Sequence, residues 1–172
     1  FPLLFYRENC ADMALDAAQI DEALIAQCRA LLITGTHLST PTVRAASQAA
    51  LGFAKQHGVV RVLDIDYRPV LWGLTRRGEG ANRYVPDAQV TASLQAMLPR
   101  FDLLIGTEEE FLIAGGVPGD LIASLRRVRE VVGAGFPILC KMNLRDGFRG
   151  GLELPDAVAL ARLLESGGAS AL

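Results

Sequence analysis

Three ionisable residues alternate in LDIDYRPVLWG, residues 63–73: Asp64, Asp66 and Arg68 follow directly on the apolar run VVRVL. Residues at i and i+2 of a strand point to one side, so an extended path brings all three to a single crevice. Pro69 favours that path, because a proline disfavours the helical conformation of the residue before it. Carboxylates accept hydrogen bonds from sugar hydroxyls, and the planar guanidinium fork matches a carboxylate or phosphate, so the set suits a polyhydroxy acid. The spacing fits equally well a surface ion pair of Asp66 with Arg68, with Asp64 capping a turn.

A second stretch, IGTEEEF at residues 105–111, also follows an apolar run. Thr107 and Glu110 have the spacing of a capping box, and three glutamates in a first turn complement the helix dipole. Beside a phosphate site, Glu110 would also suit a hydrated magnesium ion. His37 lies past a strand end, as a ligand contact or a hydrogen-bonded loop residue. His57, before Gly58, complements the end of a helix. Cys10, Cys28 and Cys140 are odd in number and form no C-x-x-C pair, so no disulfide framework is expected and a reducing cytoplasm fits.

These residues need strand ends and helix N-termini to position them. Strands are expected at Leu3–Tyr6, Ala30–Thr34, Val59–Asp64, Asp102–Ile105 and Phe136–Lys141, with a further one beginning at the C-terminus. Between them apolar residues recur at three and four: Val43, Ala46, Ala50 and Phe53, in a helix that Thr40 caps and Gly58 closes; Val90, Leu94 and Met97; Leu121, Leu125 and Val128; Val158, Ala161 and Leu164, begun near Pro155. The alternation describes an α/β protein, a single three-layer Rossmann-like domain with a mostly parallel sheet of about five strands. Ligands gather at the carboxyl ends of such strands. The irregular residues 73–84 are a candidate binding loop.

The 172 residues, 51% of them apolar, suit one domain with a sizeable core, and the net charge of −2 marks no nucleic-acid surface. No apolar run reaches the roughly 20 residues of a spanning helix. The beginning, FPLLFYREN, reads as an interior start, and LLESGGASAL breaks off at a strand-like sequence, so truncation at both ends is expected.

FYRENCADMAL, LLITGTHLS, VLDIDYRPVLWG and DLLIGTEEE, in this order, resemble the middle of a ribokinase-type (PfkB) sugar kinase over about residues 1–125. The resemblance implies phosphoryl transfer from ATP to a sugar hydroxyl with magnesium. It places Tyr6, Arg7 and Arg68 on the sugar side, with Asp66 beside them, and matches Glu110 to the acid of an N-x-x-E motif, with Thr107 where many relatives carry Asn. The D-T-x-G-A-G-D signature that holds the family's base is absent: GAG at Gly133–Gly135 is followed by Phe136. Residues 126–172 instead resemble a strand and helix of the old yellow enzyme family of flavin oxidoreductases, through KMNLRDGFRGG, which puts Lys141 and Asn143 near a flavin ring.

A chimera of a kinase core fragment and a barrel fragment is the resulting expectation. It would be kinase-derived but without turnover, with no cofactor retained and a sugar acid or phosphate as ligand. A catalytically silent α/β protein is the alternative, and a flavin oxidoreductase fragment the remote one. Exposed sheet edges make a homodimer the expected assembly.

Overall fold

A computed structural model describes residues 10–76, 78, 79 and 82–172. The elements follow in the order α1 (Glu22–Ala26), β1 (Ala30–Thr34), α2 (Pro41–Gln56), β2 (Val60–Asp64), α3 (Ala88–Met97), β3 (Leu103–Thr107), α4 (Glu108–Gly115), α5 (Leu121–Val132), β4 (Ile138–Lys141) and α6 (Leu154–Gly167). The strands form a parallel sheet in the order β1-β2-β3-β4. The parallel α/β class agrees with the expectation, and each described strand lies within a residue or two of its expected bounds. The expected strand Leu3–Tyr6 lies outside the described residues. At the C-terminus a single parallel bridge, Leu139 to Ala171, sets a short extension beside β4.

Because sheet order follows chain order, right-handed crossovers carry successive helices to one face. The burial pattern agrees. Ile33, Leu63, Leu104, Ile138 and Cys140 point to the helices and join Leu51, Leu94, Phe111, Leu125 and Leu164 in the main core. Alternate residues point the other way, and among the described residues none of these is fully buried: Val62, Leu103, Ile105 and Leu139 are half-buried, Leu32 is 57% exposed and Val60 47%.

Side chains set most helix starts. Asp87 accepts hydrogen bonds from the backbone of Gln89 and Val90 at 2.9 Å, and Asp120 from Ala123 at 2.8 Å. Thr40 is a correction to the sequence reading: it stands at the N-cap of α2, but its hydroxyl is buried without a hydrogen-bond partner. Pro41 at N1, whose fixed φ suits a first turn, is left to open the helix. At the amino ends of β2 and β3, Arg61 grips Asp102 with Nε at 2.9 Å and Nη2 at 2.5 Å. That pair holds the Asp102 carboxyl below its usual range, chiefly through the hydrogen bond from Arg61.

The opposite ends of β1 and β2 come into backbone contact. A Cβ on Gly35 would sit 1.9 Å from the Ile65 carbonyl oxygen, so only glycine allows the turn after β1 to lie against the chain leaving β2.

Candidate functional site

Asp64 closes β2, and Ile65 still donates to the Ile105 carbonyl at 2.9 Å before the chain leaves the sheet. Asp66 then adopts φ +32°, a left-handed conformation that aspartate tolerates better than most residues. The strand alternation therefore stops at Asp66, and the expected extended path from Asp64 to Arg68 is corrected at this one residue. Arg68 is extended, φ −134° and ψ 102°, as Pro69 requires. Tyr67 between them is buried and donates its hydroxyl to the Val85 carbonyl at 2.7 Å, which ties the far end of the irregular loop to this turn. Burial, followed by the charge of Asp87, pushes its phenol up to about 12.

The turn makes the ion pair directly: Arg68 Nη2 lies 2.7 Å from Asp66 Oδ1, both side chains about a quarter exposed. Arg68 Nη1 donates to the Tyr67 carbonyl at 3.0 Å and stands 3.9 Å from Glu110 Oε1. Asp64 caps no turn. Its Oδ1 accepts from Lys141 Nζ at 2.7 Å, a side chain that reaches over β3 from the end of β4. Glu110 closes the set from the first turn of α4. Its Oε2 accepts from the Thr107 backbone at 2.8 Å, the glutamate half of the expected capping box, and lies 3.9 Å from the same Nζ. The Glu110 side chain is only 8% exposed, held by the Thr107 N–H with the two cations 3.9 Å away.

Three carboxylates and two cations thus meet at the carboxyl ends of β2, β3 and β4, the place where parallel sheets bind ligands. A cleft of about 430 Å³ opens beside Lys141, with Arg83, Glu108 and Asn143 on its rim and Leu121 and Leu164 on its floor. Asn143 turns to Asp146, donating at 3.0 Å, and Asp146 in turn accepts from the Leu152 backbone at 2.7 Å. The backbone hydrogen bond from Leu152, then Asn143, lowers the Asp146 carboxyl.

Lys141 and Asn143, expected beside a flavin ring, are therefore engaged elsewhere, Lys141 with Asp64 and Glu110 and Asn143 with Asp146. Sequence reasoning named Lys141 but not its place beside Asp64 and Glu110; its position at a strand's carboxyl end was the available signal. His37 stands apart, 3.5 Å from Asp12, and His57 pairs with Glu22 at 2.8 Å. Tyr6 and Arg7 lie outside the described residues.

Magnesium, implied by the resemblance, is a poor match to this donor set. Glu110 turns both oxygens toward cations, and among the described residues no three His, Cys, Asp or Glu side chains are grouped to hold a metal ion. No helix among the described residues is long and apolar enough to cross a membrane.

Compared with known proteins, no family model matches the chain. It is 37% identical over 109 residues to a 5-dehydro-2-deoxygluconokinase of Bacillus anthracis, a match covering 63% of this chain and 29% of that protein. Its fold matches a PfkB protein from Polaromonas sp. JS666, TM-score 0.60 at 20% identity, over 81% of this chain and 43% of the other. The chain resembles the PfkB carbohydrate kinases. A fructokinase from Xylella fastidiosa with bound ATP matches over 94% of this chain and 50% of its own, TM-score 0.59 at 15% identity. So broad a match takes in most of residues 126–172, which continue the same parallel alternation. The chain spans less than a third of the length of the curated relative.

Proposed function

We propose that this chain carries the sugar-acid side of a carbohydrate-kinase-like core. In this reading Arg68 and Lys141 take the acid group, and Asp64, Asp66 and Glu110 accept from hydroxyls. The observation that carries it is the convergence of these five side chains on one end of neighbouring parallel strands, in a chain 37% identical over 109 residues to an enzyme named for a deoxygluconate-type sugar acid. A ligand with one acid and several hydroxyls satisfies both kinds of group at once, because guanidinium and ammonium only donate and carboxylates only accept. By resemblance Tyr6 and Arg7 join this side.

The 172-residue polypeptide binds without transferring phosphoryl groups. Such transfer depends on several groups positioned together, and the signature that holds the base in the resembled kinases has no counterpart in this sequence.

Melting temperature against D-gluconate concentration tests the binding. A ligand at a hundredfold excess over its Kd stabilises by about 2.7 kcal/mol, roughly 5–11 °C for a domain of this size. Arg68→Ala should abolish the rise, and equal rises in both proteins would refute the site. A coupled ADP-release assay with 5-dehydro-2-deoxygluconate should stay at background. Turnover lost in Arg68→Ala would replace the binding-only reading with an active kinase.

A further inference from the structure

We infer that Lys141 sets the charge preference of the strand-end site: by tying Asp64 to Glu110 across β3, it makes three carboxylates accept an organic acid instead of a divalent cation. Lys141 is in register with Thr107 on β3, while Asp64 lies opposite Ile105, so its side chain must lean across that strand to reach both carboxylates. The Nζ contacts are 2.7 Å to Asp64 and 3.9 Å to Glu110. Arg68 makes its 2.7 Å contact with Asp66. Each cation therefore has a carboxylate of its own, and Glu110 stands between the two. Lys141 is 44% exposed and also lines the adjoining cleft.

Without the ammonium, Arg68 would be the cation left beside Asp64, Asp66 and Glu110 among the described residues. These four described side chains would then sum to two net negative charges and an oxygen-rich surface, the donor type that magnesium and calcium prefer. The anion side of this inference rests on the sugar-acid reading; the cation side does not.

The test titrates wild type, Lys141→Gln and Lys141→Arg with D-gluconate and, separately, with Mg²⁺, following melting temperature and isothermal heat. Wild type and Lys141→Arg should bind gluconate and show no magnesium response. Lys141→Gln should bind gluconate at least about tenfold more weakly and gain a magnesium-dependent rise in melting temperature. Wild type that ignores gluconate would defeat the sugar-acid reading, while a magnesium response gained only in Lys141→Gln would still uphold the role of Lys141. No such gain, or the same gain in Lys141→Arg, would overturn it. Should Lys141→Gln not fold, Lys141→Gln combined with Asp64→Asn removes both charges of the 2.7 Å pair and should fold without a magnesium response. Failure of that protein to fold would make Lys141 a structural residue and overturn the inference.

Discussion

Substituting alanine at two glycines should give melting shifts of opposite sign. At Gly35 the new Cβ would stand 1.9 Å from the Ile65 carbonyl oxygen and 2.9 Å from its carbon, against 3.4–4 Å for ordinary contact. Both neighbours are backbone atoms, so no rotamer relieves the clash. Ile65 itself is tied to Ile105 by its N–H at 2.9 Å, and moving it disturbs the chain just before Asp66. Overpacking costs about 1–3 kcal/mol, and a backbone clash of this depth belongs at the upper end. For a chain of this size about 3 kcal/mol lowers the melting temperature by roughly 6–12 °C.

At Gly52, inside α2, a Cβ meets nothing within 4 Å. Alanine there gains about 1 kcal/mol of helix propensity, a rise of roughly 2–4 °C. Differential scanning calorimetry of the two variants beside wild type decides the matter. A Gly35→Ala protein melting with wild type, or one no worse than Gly52→Ala, would refute the contact between the β1 and β2 turns.

Three further outcomes follow from the same geometry. The Asp102 carboxyl is lowered by Arg61, so its contribution to stability is complete above the unfolded value of about 3.9 and is lost as pH falls through the lower folded value; Asp102→Asn should flatten the acid limb of a stability–pH curve, and an unchanged limb would contradict the pair. Tyr67 and Cys140 are both pushed up to about 12, chiefly by burial, so stability should fall from about pH 9 upward as the unfolded chain ionises first; Tyr67→Phe should reduce that loss, and in native protein a thiol reagent should modify exposed Cys28 well before Cys140. Leu32 and Val60 are exposed on one side of β1 and β2, so replacing both with lysine should reduce any self-association seen by sedimentation velocity, and an unchanged profile would remove that face from the expected dimer.

Features with local causes were legible in the sequence. The glutamate half of the α4 cap, the extended Arg68 before Pro69 and the bounds of the strands depend on neighbours within a few residues. Asp66 was misread because alternation assumes an extended chain, and nothing in DIDYR marks the left-handed turn that aspartate can adopt. Lys141 was named for a flavin setting, and its actual partners were not foreseen, because Asp64 and Glu110 lie far away in the chain and meet it only through the β2-β3-β4 order. Periodicity identifies elements but does not rank strands across a sheet. Arg61 with Asp102 was hidden for the same reason, as was the layering of the helices on one face, since both depend on strand order.

A sugar acid bound where β2, β3 and β4 end should be seen by residue-resolved NMR during a D-gluconate titration. The expected perturbations cluster at Asp64, Asp66, Arg68, Glu110 and Lys141 and fade toward Arg61 and Asp102 at the opposite end of the sheet. Perturbations scattered over the surface, or confined to the amino ends of the strands, would contradict it.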